Sequence, residues 1–161
     1  MDRISTQHRS WNMSRIKSVD TAPEIVVRSA LHRLGYRFAL HRRNLPGRPD
    51  IVLPKYNCVV LVHGCFWHRH ARCRYAYTPK SRLAFWHKKF QENVDRDLRA
   101  KRQLQGLGWT VFVVWECQIH DINALTSRLR GWLMKQRLGS GQTLLATTGR
   151  GHRGSSRTSP K

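Results

Sequence analysis

The chain has 161 residues and a mass of 18.9 kDa, room for one domain of ordinary size and little more. Hydrophobic residues at 40% exclude wholesale disorder, and 30 Lys and Arg against nine Asp and Glu give a formal charge of +21. A chain this basic asks for a polyanionic partner, either nucleic acid or an anionic membrane surface.

The first predicted helix opens at Thr21-Ala-Pro-Glu24, a capping-box pattern with proline in the first turn. Ile25, Val27, Ala30, Leu31 and Leu34 follow at helical spacing, and Gly35 ends the run. Residues 36–40 alternate like a strand, 44–49 read as a loop, and 50–53 form a short strand. Residues 54–57 turn the chain into a buried strand of β-branched residues over 58–62. After an irregular segment over 64–79, a long helix is predicted from about 81 to 105, then a buried strand over 110–115 and an amphipathic helix over 122–138. The expected fold class is α/β, a mixed central sheet flanked by helices. From Gly139 the text is rich in Gly, Ser, Thr and Arg, with four basic residues and no acid, and is expected to be disordered. The 138 residues before it keep 26 basic groups against nine acidic ones, so the folded body itself is the polyanion binder.

No run approaches a membrane span, and Met1 to Gln7 lack the apolar stretch of a secretory signal, so a cytoplasmic protein with no membrane role is expected. That compartment bears on Cys58, Cys65, Cys73 and Cys117, four cysteines in a chain with nine histidines. Two disulfides would suit a secreted protein; here metal binding is the better expectation. Cys65, His70 and Cys73 fall within nine residues, and Cys117 joins them if strand 110–115 lies beside strand 58–62. One histidine and three cysteines would complete a closed, structural zinc tetrahedron; incidental thiols are the alternative.

The other candidate residues each have an ordinary reading beside the functional one. Phe66 and Trp67, between His63 and His68, could be core or could project as a wedge between base steps, an insertion that is easier at a poorly stacked mismatch. Trp86 could extend that surface or fill its own helix stripe. Asp97 lies within the arc of Trp86, Phe90, Val94 and Leu104, where it either orients a histidine, pairs with a nearby arginine or lies at the rim. Asp50 follows Pro46-Gly47-Arg48-Pro49 and could hold a hard cation or merely close a turn. Glu24 is a capping residue that could approach Asp50 if its helix packs along that strand edge.

Five stretches carry a resemblance: Leu45-Pro-Gly-Arg-Pro-Asp50, His63-Gly-Cys-Phe-Trp-His68, Phe85-Trp86, Asn93-Val-Asp-Arg-Asp97, and Gly108-Trp109 through Val114-Trp-Glu-Cys117. Over roughly residues 10–137 the chain resembles the very short patch repair DNA mismatch endonucleases, the Vsr family. The resemblance implies a restriction-endonuclease-like fold and a magnesium-dependent nick 5′ of the mismatched T in T:G pairs left by 5-methylcytosine deamination. It implies an endonuclease domain over 21–138, between a basic arm at 1–20 and the tail at 139–161.

Position by position, Asp50 resembles the magnesium aspartate, with the main-chain carbonyl of Val62 as second ligand and two ions in all. His68 resembles the histidine that activates water, Asp97 its orienting carboxylate, His63 the histidine near the scissile phosphate, and Glu24 the acid supporting the metal site. Phe66, Trp67 and Trp86 match the aromatics that enter the duplex. Cys65, His70, Cys73 and Cys117 match the ligands of one structural zinc ion. Partners implied are duplex DNA with a T:G mismatch, a companion cytosine-5 methyltransferase and other mismatch-repair proteins; a single asymmetric lesion favours a monomer.

Two departures stand out. Residues 58–63 lack the Glu-x-Lys common on this fold's third strand, and two residues separate His70 from Cys73 where the family pattern has one. The rival readings are a zinc-stabilised DNA-binding module without catalysis and a restriction nuclease that cuts both strands.

Overall fold

In the computed structural model the described residues are 7, 8, 11 and 19–145, with side chains described only as far as 138. Helix α1 spans Ala22–Arg33, followed by strands β1 (Ala39–Leu40), β2 (Ile51–Leu53) and β3 (Cys58–His63). Helix α2 (Leu83–Gly106) leads to strand β4 (Thr110–Trp115) and helix α3 (Ile122–Leu145). Short 3₁₀ turns at Pro54–Tyr56 and Glu116–His120 follow β2 and β4.

The sheet order is β1-β2-β3-β4, with the first two pairings antiparallel and β3 parallel to β4. Side chains alternate across it, as a period of two requires. Ile51, Leu53, Cys58, Val60 and Val114 meet Val27 and Leu31 of α1 and Leu125, Leu129 and Leu133 of α3 on one face. Val52 and Val59 meet Leu45 and Leu104 of α2 on the other. A sheet covered on both faces has continuous apolar strands, and all three residues of β2 are buried.

Helix α1 begins as expected. The Thr21 hydroxyl donates to Glu24 Oε1 at 2.8 Å and accepts the Glu24 N–H, completing a capping box. Glu24, Val27 and Leu31 fall on the inward stripe, whereas Ile25 points out and is 51% exposed. On α2 the buried line runs Trp86, Phe90, Asn93 and Leu104, with Asp97 at the same three-and-four spacing. The expected stripe thus shifts by one residue, from Val94 to Asn93, because Asn93 is covered by the loop after β3 and donates to the Trp67 carbonyl at 3.2 Å.

The expected strand over 36–40 pairs only at its last two residues, since Tyr36 turns back to hydrogen-bond Leu31 at 3.1 Å and packs into the core. The last helix runs to Leu145 instead of 138; no proline interrupts it, and each added residue gains one hydrogen bond. The remainder of the tail, 146–161, lies outside the described residues, as does most of the arm at 1–20. No helix among the described residues is long and apolar enough to cross a membrane.

Candidate active site

Strands β3 and β4 run parallel and end together, and β2 starts at that same end. Asp50, the residue before β2, therefore reaches across to the end of β3, where its Oδ2 accepts the Val62 N–H at 2.7 Å. This is the edge at which α/β sheets place their ligands. A cleft of about 1600 Å³ opens there, lined by Glu24, Asp50, Val62, His63, His68 and Asp97 among others.

The loop that delivers Asp50 is fixed against α2. Gly47 has φ +70°, and a Cβ added there would stand 2.5 Å from the Cβ of Ala100, so only glycine allows this approach. His41 and Arg48, on either side of that loop, are left-handed despite carrying side chains, and so are Arg69 and Arg72 beyond β3. Strained backbone of this kind collects around functional sites.

Burial pushes the Asp50 carboxyl up to about 6; the Val62 N–H opposes that rise and the charge of Glu24 adds to it. Among the described residues Val62 supplies the one hydrogen bond that this carboxylate receives. A part-buried carboxylate without a Lys or Arg side chain hydrogen-bonded to it suits a cation ligand, since an added positive charge would favour its ionised form. Glu24 itself is 3% exposed and differently occupied: Arg28 donates to its Oε2 at 2.7 Å, the Asp20 N–H donates at 3.1 Å, and the His41 ring lies 3.5 Å away. Glu24 therefore approaches Asp50 closely enough to raise it, but its own oxygens are held by Arg28 and the helix cap. Arg28 and His41 carried no signal in the sequence, because their meeting depends on tertiary packing across 13 positions.

His68 Nδ1 is hydrogen-bonded to Asp97 Oδ2, resolving the choice left open for that carboxylate in favour of histidine. In the neutral tautomer with its proton on Nδ1 toward Asp97, the other ring nitrogen, Nε2, is the acceptor. His63 stacks on His68 with ring centres 4.0 Å apart and an interplanar angle of 9°. Burial, then the neighbouring His68, pushes His63 down to about 4, so it is neutral at pH 7.

Cys65, His70, Cys73 and Cys117 come together with their ligand atoms all within 4.8 Å of one another. The parallel pairing of β3 and β4 brings Cys117 to the loop, as the sequence required. His70 Nδ1 lies 3.6 Å from Cys65 Sγ and 3.3 Å from Cys117 Sγ, close to the edges of about 3.5–3.8 Å of a zinc tetrahedron. Two intervening residues thus still let Cys73 face the cluster, through a turn in which its N–H bonds His70 O at 3.3 Å. The four thiols are free, and Cys58 stands apart in the core. Burial pushes the Cys65 thiol up to about 12, a penalty that a bound cation would remove. His70 also stacks on Trp115, and Glu116 accepts the Cys65 N–H at 3.1 Å, a brace the sequence did not announce.

Phe66 and Trp67 form one wall of the cleft. Phe66 contacts Trp67, Trp86, Phe90 and Tyr77 at ring distances of 5.0–5.5 Å. Trp86 is 7% exposed, so it backs this cluster instead of forming its tip. Arg48, Lys80, Lys89 and Arg96 line the rest of the cleft.

Comparison with known proteins bears on what this arrangement serves. A family model described as "DNA mismatch endonuclease Vsr" matches residues 1–74. The chain is 50% identical over 132 residues to the "Type II nicking enzyme V.XorIIP" of Xanthomonas oryzae, covering 82% of this chain and 96% of that one. The chain belongs to the Vsr family. It is also 44% identical over 130 residues to the "DNA mismatch endonuclease Vsr" of Escherichia coli, covering 78% and 83% of the two chains. Against the "Type II nicking enzyme V.NmeAIP" of Neisseria meningitidis the identity is 40% over 128 residues, covering 80% and 91%. As a Vsr protein the chain is a DNA endonuclease of mismatch repair, with a carboxylate–histidine constellation inside its cleft.

Proposed function

We propose that this chain nicks one DNA strand on the 5′ side of the mismatched T in a T:G pair, by magnesium-dependent hydrolysis of a phosphodiester. The observation that supports it best is that Asp50 and the His68–Asp97 pair line one cleft. A passive DNA-binding module does not account for a part-buried carboxylate sharing a cleft with an oriented imidazole, and the missing Glu-x-Lys counts against an ordinary restriction nuclease.

Asp50 and the main-chain carbonyl of Val62 would hold a divalent cation, which when bound supplies Lewis-acid neutralisation of the phosphate oxygens. The rest falls to the chain's own residues. Asp97 holds His68 so that Nε2 can take a proton from the attacking water as its oxygen bonds to phosphorus and the leaving oxygen departs. His63, neutral and stacked on His68, sets no second positive charge beside the imidazolium that forms. Glu24, locked by Arg28, adds negative charge beside Asp50 and so favours a cation there. Phe66 and Trp67, backed by Trp86, enter the duplex where stacking is already weak. Cys65, His70, Cys73 and Cys117 hold one zinc ion that fixes the loop carrying His68 and both aromatics. A cytosine-5 methyltransferase is the companion whose methylated sites generate such mismatches.

The test uses magnesium and duplexes differing only in T:G or T:A at one position. A single nick beside T:G is expected. Cleavage of both strands of the T:A duplex would favour the restriction enzyme, and binding without cleavage the passive module. His68→Ala should lower nicking at least a thousandfold, with duplex affinity retained; wild-type rates in that variant would remove His68 from the reaction.

A further inference from the structure

We propose that Tyr77 is a third aromatic contact to the duplex, stacking on a base next to the mismatch; this rests on the mismatch-nicking reading above. Tyr77 is 64% exposed, and its ring lies 5.1 Å from that of Phe66 on the wall of the cleft. Phe66 and Trp67 are only partly exposed and Trp86 is buried, so Tyr77 is the aromatic ring that the cluster presents most openly to the cleft. An exposed ring at the edge of an aromatic cluster in a cleft offers a flat face on which a nucleobase can stack.

The segment bearing Tyr77 is held in place by its neighbours. Arg69 donates from one nitrogen to the Tyr77 carbonyl at 2.9 Å and from another to Thr78 Oγ1 at 3.1 Å. The same guanidinium lies over the Phe90 ring, 4.3 Å from its centre. Arg69 thus ties the backbone at Tyr77 to the core of the aromatic cluster, and Pro79 narrows the conformations open to Thr78. The ring is fixed at its root and free at its face. Such preorganisation spares the ordering cost that a mobile loop would meet on binding DNA.

A ring that stacks on an opened step contributes most where the step opens readily, so its removal should affect mismatched duplex more than matched duplex. The experiment compares the affinity of wild type, Tyr77→Ala and Tyr77→Phe for T:G and T:A duplexes. Tyr77→Ala is expected to weaken T:G binding about tenfold and T:A binding less than threefold, and Tyr77→Phe to recover the T:G affinity. Equal losses on both duplexes, no loss on either, or no recovery with phenylalanine would overturn the assignment. If wild type itself shows no preference for T:G, the mismatch reading falls; a wild-type preference that Tyr77→Ala leaves intact sinks only the role of Tyr77.

Discussion

Burial displaces Asp50 from 3.8 up to about 6 and His63 from 6.5 down to about 4, so near pH 5 the folded chain holds a proton on Asp50 and none on His63. The unfolded chain does the reverse. For Asp50, stability falls as pH rises from its unfolded value through 6; for His63, stability is present above 6.5 and lost as pH falls towards 4. In one molecule the two slopes oppose each other. Asp50→Asn should expose the His63 slope, with stability in urea rising by roughly 2–3 kcal/mol from pH 4 to 6.5 relative to wild type. His63→Gln should expose the opposite slope over the same interval. Both are measured with chelator present, and parallel pH profiles for the two variants would show that neither group is displaced. Asp50→Asn should also be the more stable protein at pH 7.5, because it removes a part-buried charge that lacks a cation.

Among elements, the loop over 44–49 and helix α2 decide where the carboxylate sits. Gly47→Ala should unseat that loop, costing about 2 kcal/mol, and should lower nicking as Asp50 shifts. Gly35→Ala supplies the contrast. Its φ is +83° and a Cβ would meet nothing within 4 Å, so a loss of about 1 kcal/mol with nicking intact is expected. Equal nicking in the two variants would show that the loop's seat on α2 is irrelevant to the site.

These elements were legible to different degrees. The capping box, both core strands and α2 follow from local period and turn chemistry, which act over a few residues. Clustering of Cys65, His70, Cys73 and Cys117 was legible once β3 and β4 were taken as neighbours. Asn93 was not, because the cover over it comes from a loop 26 positions away, and helical period alone favoured Val94. Arg28 and His41 were hidden for the same reason. Asp97 was visible as a conflict in its own stripe, but choosing His68 over an arginine required the fold.

At the scale of the whole chain the formal charge is +21, while the cleft itself sets Arg48, Lys80, Lys89 and Arg96 against Glu24, Asp50, Asp97 and Glu116. Arg48, Lys80, Lys89 and Arg96 sit where a phosphate backbone would run, and such contacts give affinity without discrimination. Arg96→Gln should weaken T:G and T:A duplex binding alike and lower the slope of log affinity against log salt by about 1. A change in preference between duplexes, with the salt slope unmoved, would mean that Arg96 reads a base instead.

The sheet has one end at which β3 and β4 finish side by side, and it gathers a single set of Asp50, His68 and Asp97. With one such set among the described residues, the proposed reaction would sever one backbone per encounter and leave its complement whole. On that reading the uncut strand, still carrying guanine, would stay as template for resynthesis, and the correction would not turn into a chromosome break.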